Sequence, residues 1–233
     1  MIFMVLENYR KVRGEIDDVC LKYGRKPEDV LLLPVSKTKP VEMIRELYDA
    51  GVRDFGENYV QELRSKHEEL PKDIRWHMIG HLQRNKVKYI APFVHLIHSV
   101  DTVELAATID KEAAKCGRTI PILIEVNAGG EESKFGLTVA DTPAFLGEIR
   151  SFKNIEIRGF MTSAPYVEDP ETIRFVFRDL YKLSLDTTLK NNNNDLGNIL
   201  SMGMSNDYHV AIEEGATIVR IGTDIFGARD YSH

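Results

Sequence analysis

Hydrophobic positions follow two alternating periods along most of this chain. Segments with apolar residues three and four apart predict amphipathic helices, and short, almost wholly apolar runs between them predict buried strands. A leading helix is predicted over 3–23, and Gly24 ends it. Eight strands are predicted after that helix, at 30–36, 52–56, 74–79, 96–100, 121–126, 155–161, 199–202 and 218–221.

Helical patterns separate the predicted strands. They cover 41–50, 59–70, 83–91, the segment from a cap at 101–102 to 116, 138–152, 170–190 and 207–214. Only a short segment follows the last strand, and the polar tract at 191–194 is predicted to be a surface loop. Apolar strands that alternate with amphipathic helices are typical of parallel strands buried on both faces.

Eight such units predict an α/β fold, a single-domain (β/α)8 TIM barrel over 1–233 with an extra N-terminal helix. A doubly wound open sheet is the alternative, because alternation alone does not show that the sheet closes.

Charge and cysteine content narrow the range of partners. The formal net charge is −6 without a long run of one sign, which argues against a general basic surface for nucleic acid or anionic membranes. Cys20 and Cys116 lie far apart in no metal-ligand spacing and fit a reducing cytosol. No apolar run reaches the ~18 residues of a membrane span, and the N-terminus does not resemble a signal peptide. We therefore expect a cytoplasmic protein with no nucleic-acid or membrane partner.

The first predicted strand ends in a lysine. The segment 31–37 reads L-L-L-P-V-S-K, and a lysine at the end of a buried strand loses hydration that its charge needs. A partly desolvated lysine has a lowered pKa and can attack an aldehyde to form a Schiff base. The simpler explanation, which this segment alone favours, is that Lys37 marks the point where the strand reaches water.

Two glycine-bearing turns follow the last two strands, S-M-G-M-S at 201–205 and R-I-G-T at 220–223. In α/β barrels, the loops after the seventh and eighth strands are a frequent phosphate site, since small residues let backbone N–H groups approach an oxyanion. Ser201, Ser205 and Thr223 would add hydroxyl donors. Tight turns without a ligand explain the glycines equally well.

Other polar residues at strand ends have two explanations each. Arg220 lies inside an apolar strand, so its guanidinium is either paired in a buried salt bridge or donates to a ring nitrogen of a ligand. Asn58 donates to a ligand oxygen or caps the next helix. His77 and His81 are four residues apart, but no third ligand has matching spacing, so we expect no metal site.

Several motifs occur together, in one order, along nearly the whole chain. They are V-S-K-T-K-P at 35–40, G-E-N-Y-V-Q-E at 56–62, W-H-M-I-G-H-L-Q-R-N-K at 76–86, S-V-D at 99–101, E-E-S-K-F-G at 131–136, G-F-M-T at 159–162, L-S-M-G-M-S-N-D at 200–207 and V-R-I-G-T-D-I-F-G-A-R-D-Y at 219–231. With these motifs the chain resembles the pyridoxal-phosphate homeostasis proteins, which are single-domain relatives of the alanine racemase barrel.

The resemblance implies that pyridoxal 5′-phosphate forms a Schiff base with Lys37 and that Arg220 faces its pyridine nitrogen. By position, the resemblance also implies that Ser201, Gly222 and Thr223 hold the phosphate. It implies that Met204 and Ser205 shape the phosphate turn and that Asn58 lies near the cofactor. Asp224 departs from the family pattern, in which a small residue is expected. A carboxylate beside a phosphate weakens anion binding unless it points away.

The resemblance implies a carrier and regulator of vitamin B6 and amino-acid pools, with apo enzymes that use pyridoxal phosphate as recipients. The alternative is a pyridoxal-phosphate-dependent racemase or lyase, and racemisation needs bases on both faces of the substrate. The sequence ends at His233 without the second domain that supplies the opposing tyrosine in two-domain racemases. We therefore predict a non-catalytic protein with no catalytic residue. A monomer is expected, with a dimer formed through helix faces as the alternative.

Overall fold

Eight parallel strands form one sheet in a computed structural model that describes residues 4–131, 133–190 and 197–228. The strands are β1 Leu31–Pro34, β2 Asp54–Glu57, β3 Arg75–Met78, β4 Leu96–Val100, β5 Ile120–Glu125, β6 Ile155–Met161, β7 Ile199–Ser201 and β8 Ile218–Ile221. Each strand pairs with its neighbour along the chain, and β1 also pairs with β8. The predicted strand positions are confirmed to within one or two residues at most ends.

The sheet closes between its first two strands. Val35 forms a parallel bridge with Gly56, and the Ser36 N–H donates to the Gly56 carbonyl at 3.0 Å. Because β1 is bonded to β8 on its other side, each of the eight strands has a neighbour on both edges. The TIM-barrel prediction is confirmed, and the doubly wound alternative is wrong.

Helices surround the barrel. In the described part of the chain they are α1 Val5–Lys22, α2 Val41–Asp49, α3 Val60–Glu69, α4 Val87–Ile90, α5 Val103–Lys115, α6 Thr142–Ile149, α7 Arg174–Lys190, α8 Tyr208–Glu213 and α9 Thr223–Phe226. None of these segments combines the length and the apolar character that crossing a bilayer requires.

Two predicted helices are shorter than their hydrophobic patterns indicate. In 83–91, Gln83 is extended and a 3-10 turn at Arg84–Lys86 precedes α4. In 138–152, Thr138 caps a separate turn by accepting from the Asp141 N–H at 3.0 Å, and the helix starts next to Pro143, a residue suited to a first turn. The predictions for residues 1–3 and 191–194 lie outside the described residues.

The N-terminal helix occupies a specific place in the outer ring. Val12, Ile16 and Cys20 of α1 are buried, and α1 contacts α8, α9 and α2. A helix after the eighth strand would normally lie between the helices that follow the seventh and first strands. Since α9 has only four residues, α1 fills that position and packs against α8, α9 and α2.

Aliphatic side chains fill much of the barrel interior. Leu33, Leu96, Leu123, Met161 and Ile218 form a cluster that is separate from the larger core between sheet and helices. Alternation along each strand therefore marks which later residues face inward. By this rule Glu125, Ser201 and Arg220 belong to the inward-facing set at or near the carboxyl-terminal rim.

Candidate functional site

Lys37 lies just beyond β1 on the carboxyl-terminal rim, beside β8. Leu33 is paired in register with Arg220, and Leu33 points into the barrel. Lys37 comes three residues after the end of β1, in a turn that follows the bridge of Val35 to Gly56. The Val35 N–H also donates to the Ile221 carbonyl of β8 at 2.8 Å. Lys37 thus follows β1 at the rim, and Arg220 lies in the neighbouring strand β8. That the two side chains share one site stays a prediction.

The residue before Lys37 is fixed by a buried ion pair. The Ser36 hydroxyl donates to Oε1 of Glu57 at 2.6 Å, and the Lys66 ammonium donates to the same oxygen at 2.7 Å. Lys66 also donates to the Ser36 carbonyl at 2.7 Å, so the N–H, the carbonyl and the hydroxyl of Ser36 are all hydrogen-bonded. Burial raises the pKa of Glu57 to about 7, and the Lys66 ammonium opposes that rise.

The residue after Lys37 is also held by α3. Thr38 has φ 62°, in the left-handed region that β-branched residues seldom adopt. Its N–H donates to the Glu62 carboxylate at 2.8 Å, and that carboxylate is bonded to Lys66 at 3.0 Å. Strained backbone of this kind persists only where surrounding contacts fix it, and it is common at ligand sites. The backbone on both sides of Lys37 is therefore held in one conformation by α3 and β2.

Arg220 is buried, and its guanidinium is held by oxygen atoms of neighbouring strands. Nη1 donates to the carbonyl and hydroxyl of Ser201 at 2.6 and 2.8 Å. Nη2 donates to the Thr162 carbonyl at 2.8 Å and to the Ser163 hydroxyl at 3.2 Å. Within the described residues, no acceptor is bonded to its Nε–H, so one strong donor is left for a ligand. Burial lowers the pKa of Arg220 to about 10, and the side chain stays cationic near neutral pH.

Ser201 is hydrogen-bonded inside the barrel. Its side chain is fully buried inside the barrel, where the hydroxyl lies 2.9 Å from Nδ1 of His98 and accepts from Arg220. The Ser201 hydroxyl is thus engaged within the protein. Its role at a phosphate stays a prediction, and the observed contacts connect it to Arg220.

The two turns predicted to hold phosphate are adjacent at the rim. Gly203 has φ 94°, and a Cβ there would lie 2.7 Å from Cβ of Ala211, so this turn requires glycine. In the described part of the chain, the backbone N–H groups of Ser205, Gly222 and Thr223 donate to no backbone acceptor. Such N–H groups are the donors that an anion binds. Met204 lies partly exposed in the first turn, and its own N–H is bonded to Asp207 at 2.6 Å.

The charged groups that act on Asp224 belong to α1 and α8. Burial raises its pKa, and the charged groups that act on it are Glu15 and Lys11 of α1 together with His209 of α8. The Ser205 hydroxyl hydrogen-bonds the Asp224 carboxylate. Asp224 therefore competes with a bound anion for Ser205, although its charge lies on the α1 side.

Asn58 and Glu125 each carry a buried oxygen that has no hydrogen-bond partner among the described residues, Oδ1 and Oε2 respectively. Both residues are at strand ends on the same rim. Unpaired buried polar atoms are uncommon and indicate a missing partner such as a ligand or water. Burial, and next the charge of Asp101, raise the pKa of Glu125 to about 7.

His77 and His81 do not come together. His81 stacks on Phe135 at the rim, while His77 points into the barrel. Ligand atoms of Asp54, His77 and His95 do lie within 4.8 Å of one another at the opposite end of the barrel. However, Arg75 pairs with both oxygens of Asp54, and both ring nitrogens of His77 are hydrogen-bonded. Contacts within the protein therefore engage the ligand atoms of Asp54 and His77.

Sequence reasoning missed the side chains whose role depends on a distant partner. Glu57 and Lys66 stabilise the Lys37 turn, and His98 contacts Ser201 across 103 residues of sequence. Each had a weak signal, namely a charged or imidazole side chain within an apolar strand or on the buried face of a helix. A buried glutamate in β2 and a buried lysine nine residues later could have been paired on that basis.

Comparison with known proteins shows which family has this sequence and this barrel. Residues 25–230 match the family model "Alanine racemase, N-terminal domain". The pyridoxal phosphate homeostasis protein of Aquifex aeolicus is 46% identical over 97% of this chain and 98% of its own length, and that of Pseudomonas aeruginosa is 40% identical over 97% and 96%.

Solved structures agree with these matches. PipY of Synechococcus elongatus without PLP has a TM-score of 0.86 at 34% identity, covering 96% of this chain and 100% of PipY. The same protein with PLP bound has a TM-score of 0.79 over 91% of this chain and 100% of PipY, also at 34% identity. Alanine racemase of Clostridium difficile, at 15% identity and a TM-score of 0.75 over 97% of this chain and 58% of its own, shares the fold. The chain belongs to the pyridoxal phosphate homeostasis protein family, whose barrel is that of the alanine racemase N-terminal domain.

Proposed function

We propose that this protein binds pyridoxal 5′-phosphate as a Schiff base on Lys37 and acts as a carrier in pyridoxal phosphate homeostasis. The observation that carries the proposal is the turn of Lys37, where buried and strained neighbours fix the backbone around one lysine at the mouth of a barrel. A binding site must hold its reacting atoms in one geometry, and this turn supplies that rigidity. In the bond formed, the Lys37 amine condenses with the cofactor aldehyde and one water is released.

The residues at the rim fit the cofactor's other groups. Arg220 has an Nε–H without an acceptor in the described part of the chain, which suits an unprotonated ring nitrogen. The N–H groups of Ser205, Gly222 and Thr223 suit the phosphate, with Met204 completing the turn. Asn58 offers a buried amide with an unpaired oxygen. Ser201 would act through Arg220, since its hydroxyl is bonded to that guanidinium.

Arg220 also bears on the choice between carrier and enzyme. The cofactor supplies an electron sink for carbanion chemistry when its ring nitrogen is protonated. A guanidinium only donates, so Arg220 would keep that nitrogen unprotonated and limit the sink. This favours a non-catalytic carrier, in keeping with the homeostasis names of the relatives that this chain covers almost completely.

The Schiff base is tested with Lys37→Ala and the matched control Lys39→Ala. Protein loaded with pyridoxal 5′-phosphate should show the absorption band of a Schiff base, and borohydride reduction should leave the added mass on the peptide that contains Lys37. The Lys39 ammonium donates to the carbonyls of Gly227 and Ala228, so its variant should keep both signals. A band that survives in Lys37→Ala would refute the assignment.

Delivery is tested separately from binding. Loaded protein mixed with an apo enzyme that needs pyridoxal 5′-phosphate should restore its activity, and the Lys37→Ala protein treated in the same way should not. Lys37-dependent turnover of either alanine enantiomer would instead favour a racemase. Sedimentation of the loaded protein checks the expected monomer.

A further inference from the structure

A row of buried polar side chains crosses the barrel interior below Arg220. The Asp54 carboxylate lies 3.1 Å from Nε2 of His77, and Nδ1 of His77 lies 3.0 Å from Nε2 of His98. Nδ1 of His98 lies 2.9 Å from Oγ of Ser201, and this oxygen accepts from Nη1 of Arg220 at 2.8 Å. Four consecutive hydrogen bonds thus connect the beginning of β2 to the inner side of β8.

Packing alone does not require this row. Other inward positions at similar depth are aliphatic, including Leu96 and Ile218 on two of the same strands. Burying polar side chains costs free energy unless every group is paired, and well-packed apolar replacements are often neutral or stabilising. A fully paired row in the middle of the barrel therefore indicates a role in positioning.

The groups at the two ends of the row determine the direction in which its hydrogen bonds are donated. A guanidinium can only donate, and an ionised carboxylate can only accept. Burial opposes ionisation of Asp54, but hydrogen bonds from Arg75 and His77 hold its pKa below the usual range. Burial lowers the pKa of His98 well below its ordinary value, so this imidazole is neutral and has one donor and one acceptor nitrogen.

One arrangement of protons satisfies every member of the row. Arg220 donates to the Ser201 hydroxyl, which in turn donates to Nδ1 of His98. Nε2–H of His98 donates to Nδ1 of His77, and Nε2–H of His77 donates to Asp54. The reverse order would direct two donors at the Ser201 oxygen and leave its hydroxyl proton without an acceptor in the described part of the barrel.

We propose that this row is a one-way hydrogen-bond chain that fixes the guanidinium of Arg220, and that His77 and His98 are positioning residues for the ring nitrogen of the bound cofactor. The inference rests on the proposed function. With His98 in place, the Ser201 hydroxyl proton points away from Arg220, and an oxygen lone pair faces Nη1. Without His98, that proton is free to turn toward the guanidinium, which then loses an acceptor and its fixed plane.

The direction of the chain can be measured without any cofactor. Proton–nitrogen correlation spectra of the imidazole rings in 15N-labelled protein, at about pH 7, should show both His77 and His98 as neutral rings protonated on Nε2. His77→Gln and His98→Gln identify the signals, because each variant removes one set. A cationic His77, or a proton on Nδ1 of His98, would overturn the one-way chain.

The effect on the cofactor is measured with two variants at one position. His98→Leu removes both bonds, and His98→Gln keeps one donor and one acceptor. In loaded protein, His98→Leu should shift the pH titration of the absorption band and weaken pyridoxal 5′-phosphate binding by about threefold to tenfold. His98→Gln should restore most of the wild-type titration and most of the wild-type affinity. His95→Gln is the matched control, since its ring lies 5.4 Å from that of His77 but outside the chain.

These outcomes separate the inference from the proposed function. If Lys37→Ala keeps the band, the Schiff base is refuted while the ring spectra still report the chain. If the band depends on Lys37 but His98→Leu changes neither the titration nor the affinity, the positioning role alone is refuted.

Discussion

Replacing Glu125 by glutamine tests how strongly burial opposes ionisation of a carboxyl group at the rim of the barrel. One oxygen of Glu125 is buried without a partner among the described residues, and its pKa is about 7 against an ordinary value of 4.5. Each pH unit of difference between the folded and unfolded pKa corresponds to about 1.4 kcal/mol. The difference at Glu125 therefore corresponds to about 3 kcal/mol of stability.

The raised pKa determines how the stability contributed by Glu125 changes with pH. Below about pH 4.5 the carboxyl is protonated in both folded and unfolded protein, and the contribution to stability is fully present. As the pH rises toward about 7, the unfolded chain ionises while the folded chain resists, so stability is lost. Glutamine resembles the protonated acid at every pH. Glu125→Gln should match the wild type at about pH 4.5 and be more stable by up to about 3 kcal/mol at about pH 8.

Urea unfolding at both pH values measures this difference. Glu148→Gln is the control, because Glu148 is exposed on α6 and the same chemical change there should have little effect at either pH. An equal effect of Glu125→Gln at the two pH values would refute the reasoning, as would a loss of stability at about pH 8.

Two further predictions concern the phosphate turn and the Lys37 turn. Asp224→Ala should strengthen pyridoxal 5′-phosphate binding by about twofold to fivefold, because it releases the Ser205 hydroxyl and removes a nearby negative charge. Equilibrium dialysis beside the control Asp18→Ala, at an exposed position of α1, checks this, and weaker binding would contradict it. Lys66→Met should lower the free energy of unfolding by about 3 kcal/mol, since Glu57 loses its buried cation and must take up a proton to stay buried, and the Ser36 carbonyl loses a donor. The double variant with Glu57→Gln should recover more than half of that loss in urea unfolding, and additive losses would show that the pair is uncoupled.

The fold was predictable because its signal is local. Buried parallel strands must be apolar along their whole length, and the helices that cover them must be apolar on one face, so each of the eight units is visible within its own window of sequence. Boundaries were less certain where hydrophobic pattern and capping disagree, as at 83–91, where the chain forms a 3-10 turn before α4. The position of α1 in the outer ring was not predictable, because it depends on the shortness of α9 at the other end of the chain.

Some residues of the candidate site were likewise predictable from local sequence, and the contacts of others were not. Lys37, Gly222 and Arg220 stand out in the sequence because each is unusual where it lies: a lysine ending a strand, a glycine in a turn, a cation inside an apolar run. Ser201 also stood out, but the sequence could not show that its hydroxyl turns inward to His98 and Arg220. Its phosphate contact remains a prediction, and its contact with Arg220 is visible only once β4, β7 and β8 enclose one interior.

The sequence by itself thus determined the repeating unit, the closed-barrel prediction and the rim on which chemistry is expected. The tertiary structure decided which side chains pair: Glu57 with Lys66 around the Lys37 turn, and His98 with Ser201 across the barrel. The physical reason is that burial leaves a periodic trace within each segment. A hydrogen bond between strands depends on closure and register, which no single segment contains.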